Sequence, residues 1–564
     1  MKKLLTSAAA LCLFMNVSHA ATYYLSASTG NDSYTAAQAQ NQSTPWKTLA
    51  KMSSYMANIR AGDNILLKRG DTFPGSFVVN ASGTSSLPIT ISSYGTATDA
   101  PIITAPVVTG WVNASGIYSV TYRNHAGQSI LYEDGMPLPS ASSASLADGR
   151  WYGNNKTLYY RPASGTSSNH TISLADIDST GYIPAINLSN CRYVTVSGIT
   201  FNSVGVGVKT FDTYQGTIGL VVQKCNFYLC HTGVLFMPDK WNNTNALVQS
   251  NYFYRNHCGV RMYTTAAAGA RPGQTWGTNI ACTISYNEMS QVGTTDGTTH
   301  WAYGSDYEAI GLQNFMSGTI SNNYVHDGFQ IGIIFWNLVT RNSDNNMIMG
   351  NSFIHNGKGA IMMMGDNADQ GLSGNYGFNN NFIADNLFVN SAYVGVLSGT
   401  VSIYQGALTR QNNYFVNNTL SGPYNVVYFP TSRAPYFTIE NNIIYNPGTY
   451  DFVAWYFNGK PGSLTMDYNL YYETIGSKHF GVPGSGTLSS VQSMGMEKHS
   501  KFADPLFVNP GSNQYHLQST SGAINAGINV GLSYFGTAPD IGAYEYNTGT
   551  SVTSSKTADA PTKP

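Results

Sequence analysis

Apolar residues in this chain come in short runs rather than helical stripes, and the runs recur. Between Glu308 and Asp366, Ala309-Ile310-Gly311-Leu312 is followed by Ile320-Ser321-Asn322-Asn323-Tyr324-Val325-His326-Asp327-Gly328; Gly332-Ile333-Ile334-Phe335 is then followed by Asn351-Ser352-Phe353-Ile354-His355-Asn356-Gly357. A run such as Gly-Ile-x-Phe is too short for a helix, and β-branched or aromatic residues at alternate positions favour a strand buried on one face. A single unit cannot bury that face. Stacked units can, because equivalent inward positions of successive coils lie about 4.8 Å apart and merge into one core. The pattern therefore predicts a solenoid of short parallel strands. Asn322 and Asn351 are expected to stack at a turn, each amide satisfying its neighbour.

The same signature extends over a main stack from 181 to 473. Coils are expected to begin near Val206, Val234, Val260, Ile310, Ile333, Ile361, Val396 and Val426. The interval from Val260 to Ile310 is the long one, and it carries Trp276, Asp296, His300, Trp301, Tyr303, Asp306 and Glu308. Long insertions on a repeat scaffold map to loops on one face, often the binding face.

Before the stack, residues 1–20 read as a secretion signal: Lys2 and Lys3, a mostly apolar stretch from Leu4 to Val17, then Ser18-His19-Ala20 with small residues at the cleavage positions. No later stretch approaches the ~18 apolar residues of a membrane helix. An exported protein, secreted or periplasmic and without a membrane span, is expected. Residues 21–105 hold, in order, Tyr23-Tyr24-Leu25-Ser26, Gly30-Asn31-Asp32, Pro45-Trp46-Lys47-Thr48-Leu49, Ala61-Gly62-Asp63 and Lys68-Arg69-Gly70-Asp71-Thr72-Phe73. This series resembles the first coils of secreted bacterial right-handed parallel β-helix proteins of the pectate-lyase-like, carbohydrate-active group. The resemblance implies an all-β, right-handed parallel β-helix whose open end is capped by a helix, here Trp46 to Ile59. An uncapped end coil would expose both core and strand edges.

Residues 106–180 have a different grain. Leu131-Tyr132-Glu133-Asp134-Gly135, Trp151-Tyr152 and Thr157-Leu158-Tyr159-Tyr160-Arg161 predict antiparallel strands joined by Asp-Gly and Asn-Asn turns. They are expected to form a small β subdomain inserted into the solenoid, with its aromatic residues used for packing rather than, as the alternative, for sugar contact. Residues 474–546, with Ala503-Asp504-Pro505-Leu506-Phe507 and Asp540-Ile541-Gly542-Ala543-Tyr544, resemble the closing segment of bacterial surface and secreted β-helix proteins. Residues 547–564, rich in Thr, Ser, Ala and Lys, are expected to be a disordered tail.

Charge changes the picture by exclusion. The chain of 564 residues has a net charge of −1 and 10% charged residues, which argues against a nucleic-acid partner held by phosphate neutralisation. A monomer acting on a polysaccharide or oligosaccharide fits better. Once the signal is removed with Cys12, five cysteines remain, so at least one is unpaired; Cys230 and Cys258 close successive coils and could bridge if their Cα atoms fall within about 7 Å, or stand as stacked buried thiols. No metal-ligand spacing is present.

Hydrolysis of a glycosidic bond needs two carboxylates. Asp306 and Glu308, directly before a coil strand, are the first candidates: two residues apart in extended chain is about 6.7 Å at Cα, between the retaining and inverting separations. Position is similar to that of the catalytic Asp pair in polygalacturonase-type β-helix hydrolases, but the adjacent Asp-Asp is missing, so no residue carries over. Parity is a difficulty: if Ile310 and Leu312 point inward, an unbroken strand would send Glu308 inward too, so a turn at Tyr307 to Ala309 is required; the alternative is a buried, paired Glu308 with a structural role. His300 is a candidate proton carrier and substrate contact. Lys209, Met237, Tyr263, Gln313, Trp336, Met364 and Phe429 are expected in one outward column with Arg261 beside it, where aromatic faces and amides suit a sugar chain, and Asp366 would mark a distant subsite.

Two alternatives remain. Lys209, Asp212, Asp239, Lys240 and Arg261 could form a lyase site for β-elimination on a uronate polymer, with Lys or Arg as base, as the resemblance implies, and Ca²⁺ as a possible ion; the hydrolase needs no cofactor. The fold also serves non-catalytic surface glycan-binding proteins.

Overall fold

The computed structural model describes residues 20–547 except 123–128, 155, 179–180, 213–214, 265–276, 296–306, 330, 338–341, 358, 366–375, 392–400, 404–407, 423–426, 430–436, 448–452, 456–463, 474–479 and 481–485. Three parallel sheets of 13, 13 and 11 described strands run the length of a parallel β-helix. Each coil lays one short strand in each sheet. Thr319–Ser321 lies in the first sheet, Tyr324–His326 in the second and Ile331–Asn337 in the third.

Register is tight because inward positions are matched coil to coil. In the third sheet Val208 pairs with Val234, Val234 with Val260, Val260 with Ile310, Ile310 with Ile333 and Ile333 with Ile361, all fully buried. The coil start expected at Val206 is thus Val208, and those expected at Val396 and Val426 are Val401 and Val427. In the second sheet the inward rings stack directly: Phe201 on Phe227 at 4.9 Å and Phe227 on Phe253 at 4.7 Å.

The turn between the first and second sheets carries an asparagine ladder. Asn251, Asn287, Asn323, Asn351, Asn386, Asn418, Asn442 and Asn469 are buried, and each Nδ2 donates to the next Oδ1 at 2.9–3.1 Å. Asn323, not Asn322, is the partner of Asn351. Asn322 is the preceding residue, turned into the left-handed region at φ 56° so that the next amide can enter the stack. The ladder ends on Glu497, whose carboxylate accepts from Asn469 Nδ2, Tyr471 Oη and Ser500 Oγ. Burial pushes this carboxyl up to about 7.

Cysteines fill the turns where the ladders begin. Cys225 N donates to Asn251 Oδ1 and Cys230 N to Asn256 Oδ1, while their thiols donate to backbone carbonyls. All five described cysteines are buried and unbridged, so Cys230 and Cys258 form no disulfide.

Both ends are covered. Leu49–Tyr55 is an α-helix capped by Thr48, whose Oγ1 accepts from Lys51 N, and Leu49, Met52, Met56 and Ile59 sit in the solenoid core. It is shorter than the expected 46–59, because Trp46 is taken up by a bridge to Leu25 and the chain tightens to a 3₁₀ turn at Met56–Asn58. At the other end Phe480, Val491 and Met496, around the short helix Leu488–Ser493, join the solenoid core, while residues from Phe507 to Ile541 lay Phe507, Tyr515, Leu517 and Ile541 on Ile354, Leu387, Val389 and Ile443 of the second sheet's outer face.

The inserted antiparallel subdomain leaves the solenoid after Ile102–Thr104 of the second sheet and returns at Pro184–Asn187 of the third. Its strands Val112–Ala114, Ile117–Thr121, Thr157–Arg161 and Arg150–Gly153 form one sheet, and Met136–Pro137, Ile130–Glu133 and Ile172–Ala175 another. Trp151 and Tyr160 are buried in its core, so these aromatics pack. Among the described residues no helix is long and apolar enough to cross a membrane. The expected signal and tail lie outside the described residues, except for Ala20 and Asn547.

Candidate functional site

The third sheet breaks its own alternation once per coil. Two consecutive residues, Ala309 and Ile310, both lie in the core. The position of Ala309 is small in neighbouring coils because a ring stands under it: a Cβ on Gly207, Gly233 or Gly332 would come within 2.5–2.7 Å of Phe227, Phe253 or Phe353 respectively. This break reverses the parity of what precedes it, so Glu308 belongs to the outer face with Arg261 and Tyr263. The turn expected at Tyr307 to Ala309 is not formed: Glu308–Leu312 is one strand, and the parity breaks within it at Ala309-Ile310.

Glu308 opens the strand Glu308–Leu312 and is 2% exposed. Its Oε1 accepts from Arg261 Nε at 2.5 Å and from Tyr263 Oη at 2.6 Å. An oxygen that accepts two such bonds has no proton of its own to give. The Arg261 guanidinium also lies 5.2 Å from the Tyr263 ring centre. Burial pulls Arg261 down, but Cys258, Glu308 and Tyr263 more than reverse this and hold it above its usual range. Burial, then the charge of Glu308, raises the Tyr263 phenol against the opposing pull of Arg261. The arrangement is a buried, charge-paired carboxylate whose Oε1 is occupied by two donors.

Gly311 makes the arrangement possible, and sequence reasoning missed it. Its row on the outer face contains Leu235, Arg261, Ile334 and Met362. A Cβ on Gly311 would stand 2.6 Å from Tyr263 Oη and 2.7 Å from Glu308 Oε1. The available signal was a glycine opposite bulkier residues on both neighbouring strands. A second missed feature is the column of rings beside the site: Tyr182 on His231 at 4.3 Å, His231 on His257 at 4.3 Å, His257 on Tyr307 at 4.7 Å and Tyr307 on Phe329 at 5.6 Å. Tyr132 and Ile130 of the inserted subdomain pack into the same cluster, which sets that subdomain beside Glu308. Burial, then His257 and Arg261, pulls His231 well below its usual range.

The other expected residues divide. Gln313 is buried and its Oε1 accepts from Thr264 N, and Trp336 is half-buried opposite Met364. Lys209 falls out of the expected column: Phe211 pairs with Met237, and Lys209 pairs with Leu235, in the row of Arg261. The cause is Val206-Gly207-Val208, which imitates a coil start two residues early. Phe429 also misses the column; it follows Tyr428, which pairs with Ser402 in the row of Met362. Lys209 is itself buried, its Nζ donating to Tyr182 O. Asp306, His300 and Asp366 lie outside the described residues.

The lyase constellation is not brought together as expected. Asp212 pairs with Pro238 rather than Asp239. It is fully buried and accepts from Asn190 N and Thr217 Oγ1, with burial pushing its carboxyl up to about 7. Asp239 is half-buried and Lys240 exposed. Elsewhere Glu133, Asp134 and His170 bring three metal-ligating groups together in the inserted subdomain. There His170 Nδ1 faces Asp134 at 2.7 Å and Nε2 faces Ser164 O at 2.7 Å, so both ring nitrogens donate, and Asp134 and Ser164 raise the imidazole above its ordinary value. A doubly protonated ring between acceptors is an ion pair rather than a ligand.

No family model matches the chain. A segment of 92 residues, 16% of the chain, is 34% identical to a lacto-N-biosidase of Bifidobacterium longum subsp. longum, and the chain spans 6% of that protein's length. Among solved structures, a complex of XylC with xylose aligns over 80% of this chain and 83% of that one, with a TM-score of 0.51 and 10% identity. The native GH136 lacto-N-biosidase of Eubacterium ramulus aligns over 82% of this chain and 64% of that one, with a TM-score of 0.39 and 14% identity. At 10% identity the likeness to the xylose complex is one of fold.

Proposed function

We propose that the chain is an exported glycoside hydrolase that binds a polysaccharide or oligosaccharide along the outer face of the third sheet, with Glu308 as the carboxylate that attacks the sugar carbon or activates water. The observation that carries this reading is the pairing of Glu308 with Arg261 and Tyr263 around the space left by Gly311. Two charge-assisted donors fix one carboxylate oxygen and hold the group ready without reorganisation. Asp306, two residues earlier, is assigned the acid that protonates the leaving oxygen. The names of the similar proteins, a lacto-N-biosidase and a xylose complex, are of a kind with this reading.

A lyase needs a base that can shed its proton, and Arg261 is held charged by Glu308 while Lys209 is committed to Tyr182 O. With two of the three candidate bases held in this way, the hydrolase is preferred over the lyase. The test is incubation with neutral and uronate polysaccharides. New reducing ends without the ultraviolet absorbance of an unsaturated product support hydrolysis; the same ends with that absorbance indicate elimination and overturn the reading; neither refutes catalysis on those polymers.

A further inference from the structure

The second sheet's outer face changes chemistry halfway along the solenoid. One outward row runs Thr200, Asn226, Tyr252, Glu288, Tyr324, Ser352, Leu387, Thr419, Ile443; the other runs Asn202, Tyr228, Tyr254, Ser290, His326, Ile354, Val389. From Ser352 onward the rows are largely apolar and lie under the closing segment, which adds Tyr515 Oη to Ser421 Oγ at 2.9 Å and Ala543 N to Thr419 Oγ1 at 2.9 Å. Before Ser352 the rows become Tyr, Asn, Glu and His, and among the described residues the apolar packing of the closing segment reaches no further than Tyr324. A sheet face that is merely solvated has no need of three adjacent tyrosines.

That uncovered half holds a cavity of about 600 Å³ floored by Asn226, Tyr228, Tyr252, Tyr254 and Glu288 and walled by Arg69. The volume suits one or two sugar rings rather than a macromolecular surface. Tyr252 and Tyr254 stand nearly parallel, 14° apart with ring centres at 5.9 Å, and Tyr228 meets both edge-on. Arg255 braces Tyr254 at 4.8 Å from its ring centre. Tyr286, 52% exposed, stands on the turn one coil beyond Ser250 at the rim. Charges on the lining are balanced, Arg69 and Lys224 against Asp99 and Glu288. Apolar ring faces with amide, carboxylate and phenol groups match the C–H faces and hydroxyls of a pyranose, and balanced charge gives a polyanion no advantage.

The geometry points to a second glycan-binding site here, on a different sheet from Glu308, that takes a neutral, hydroxyl-rich polysaccharide and holds the protein on its substrate. It stands on its own residues and does not require the assignment of Glu308.

The test uses the full chain as Glu308→Gln, so that polymer is not consumed, in affinity electrophoresis through soluble arabinoxylan, galactomannan and polygalacturonate. Retardation by at least one neutral polymer is expected, weakened about tenfold or more by adding Tyr252→Ala and Tyr254→Ala, a loss of about 1.4 kcal/mol. With Glu308 intact, the two tyrosine changes should leave hydrolysis of a short soluble oligosaccharide unchanged. If the double variant does not fold, Tyr252→Leu and Asn226→Ala singly should each weaken the same retardation. The proposal is overturned if Glu308→Gln is retarded by neither neutral polymer, if the tyrosine or single variants are retarded as strongly as their parent, or if only polygalacturonate retards the chain. Loss of hydrolysis in Glu308→Gln with retardation retained separates the two sites.

Discussion

Replacing Gly311 with alanine adds one methyl group and tests the site more sharply than removing Glu308. The backbone at Gly311 is outside the left-handed region, so the change carries no conformational strain and acts through space alone. The new carbon would lie 2.6 Å from Tyr263 Oη and 2.7 Å from Glu308 Oε1, roughly 0.7–0.8 Å inside ordinary contact. Tyr263 cannot yield without dragging its ring off Arg261, so the bond between the phenol and Glu308 is the part that gives. Losing a hydrogen bond to a charged group costs about 1.5–3 kcal/mol, and overpacking adds about 1–3 kcal/mol if the strand does not relax. A carboxylate displaced by part of an ångström should lower kcat by about a hundredfold. The assay is kcat on the best substrate with the thermal midpoint in parallel, and Leu235→Ala in the same outer row as control. Parent-like kcat and an unchanged midpoint in Gly311→Ala would refute the claim that this glycine makes room for the carboxylate.

Glu308→Gln should abolish hydrolysis and, by leaving Arg261 without its charge partner, lower stability by about 3–5 kcal/mol, read by denaturant unfolding; activity near the parent's removes Glu308 from the mechanism. Tyr263→Phe, which keeps the ring over Arg261 but removes one donor, should lower kcat more than it raises KM. In the ladder, Asn351→Ala strips partners from Asn323 and Asn386 at once and should cost about 1–3 kcal/mol per stranded group, whereas Asn322→Ala should cost about 1–2 kcal/mol in all, the usual cost of a left-handed non-glycine position; equal thermal shifts would contradict the ladder's register. Burial raises Asp212 and Glu497 to about 7, so their folded values lie above their unfolded ones. Their contribution is complete below the unfolded range near 4 and is lost as pH rises through about 7, so the thermal midpoint should fall between about pH 4 and 7 and level off above; a midpoint that rises over that window contradicts this.

Much of the fold was legible because a solenoid repeats its inward positions, and Ile310, Ile333 and Ile361 announce one another. What blurred was phase. Asn322-Asn323 offers two amides to one rung, and only backbone handedness selects the second. Val206-Gly207-Val208 contains a false coil start, and Lys209 was misplaced with it. The site was legible to the extent that Glu308 begins a strand after a long insertion. Its direction was hidden, because the parity break at Ala309-Ile310 follows a small-residue position that in other coils, at Gly207 and Gly332, lies against rings arriving from the second sheet, Phe227 and Phe353. Gly311 was invisible for a related reason: its meaning lies in the side chains of the strand before it, Arg261 and Tyr263, some 50 residues upstream.

Successive rungs of the asparagine ladder are separated along the chain by 36, 36, 28, 35, 32, 24 and 27 residues, yet every rung meets the next at the same distance. The amide column works as a ruler that ignores contour length, so a coil can gain or lose a dozen residues at its corners without shifting its neighbours. Specificity can thus be rewritten by lengthening one loop at a time, and whole coils can be spliced in between rungs, while the spine that carries them stays in step.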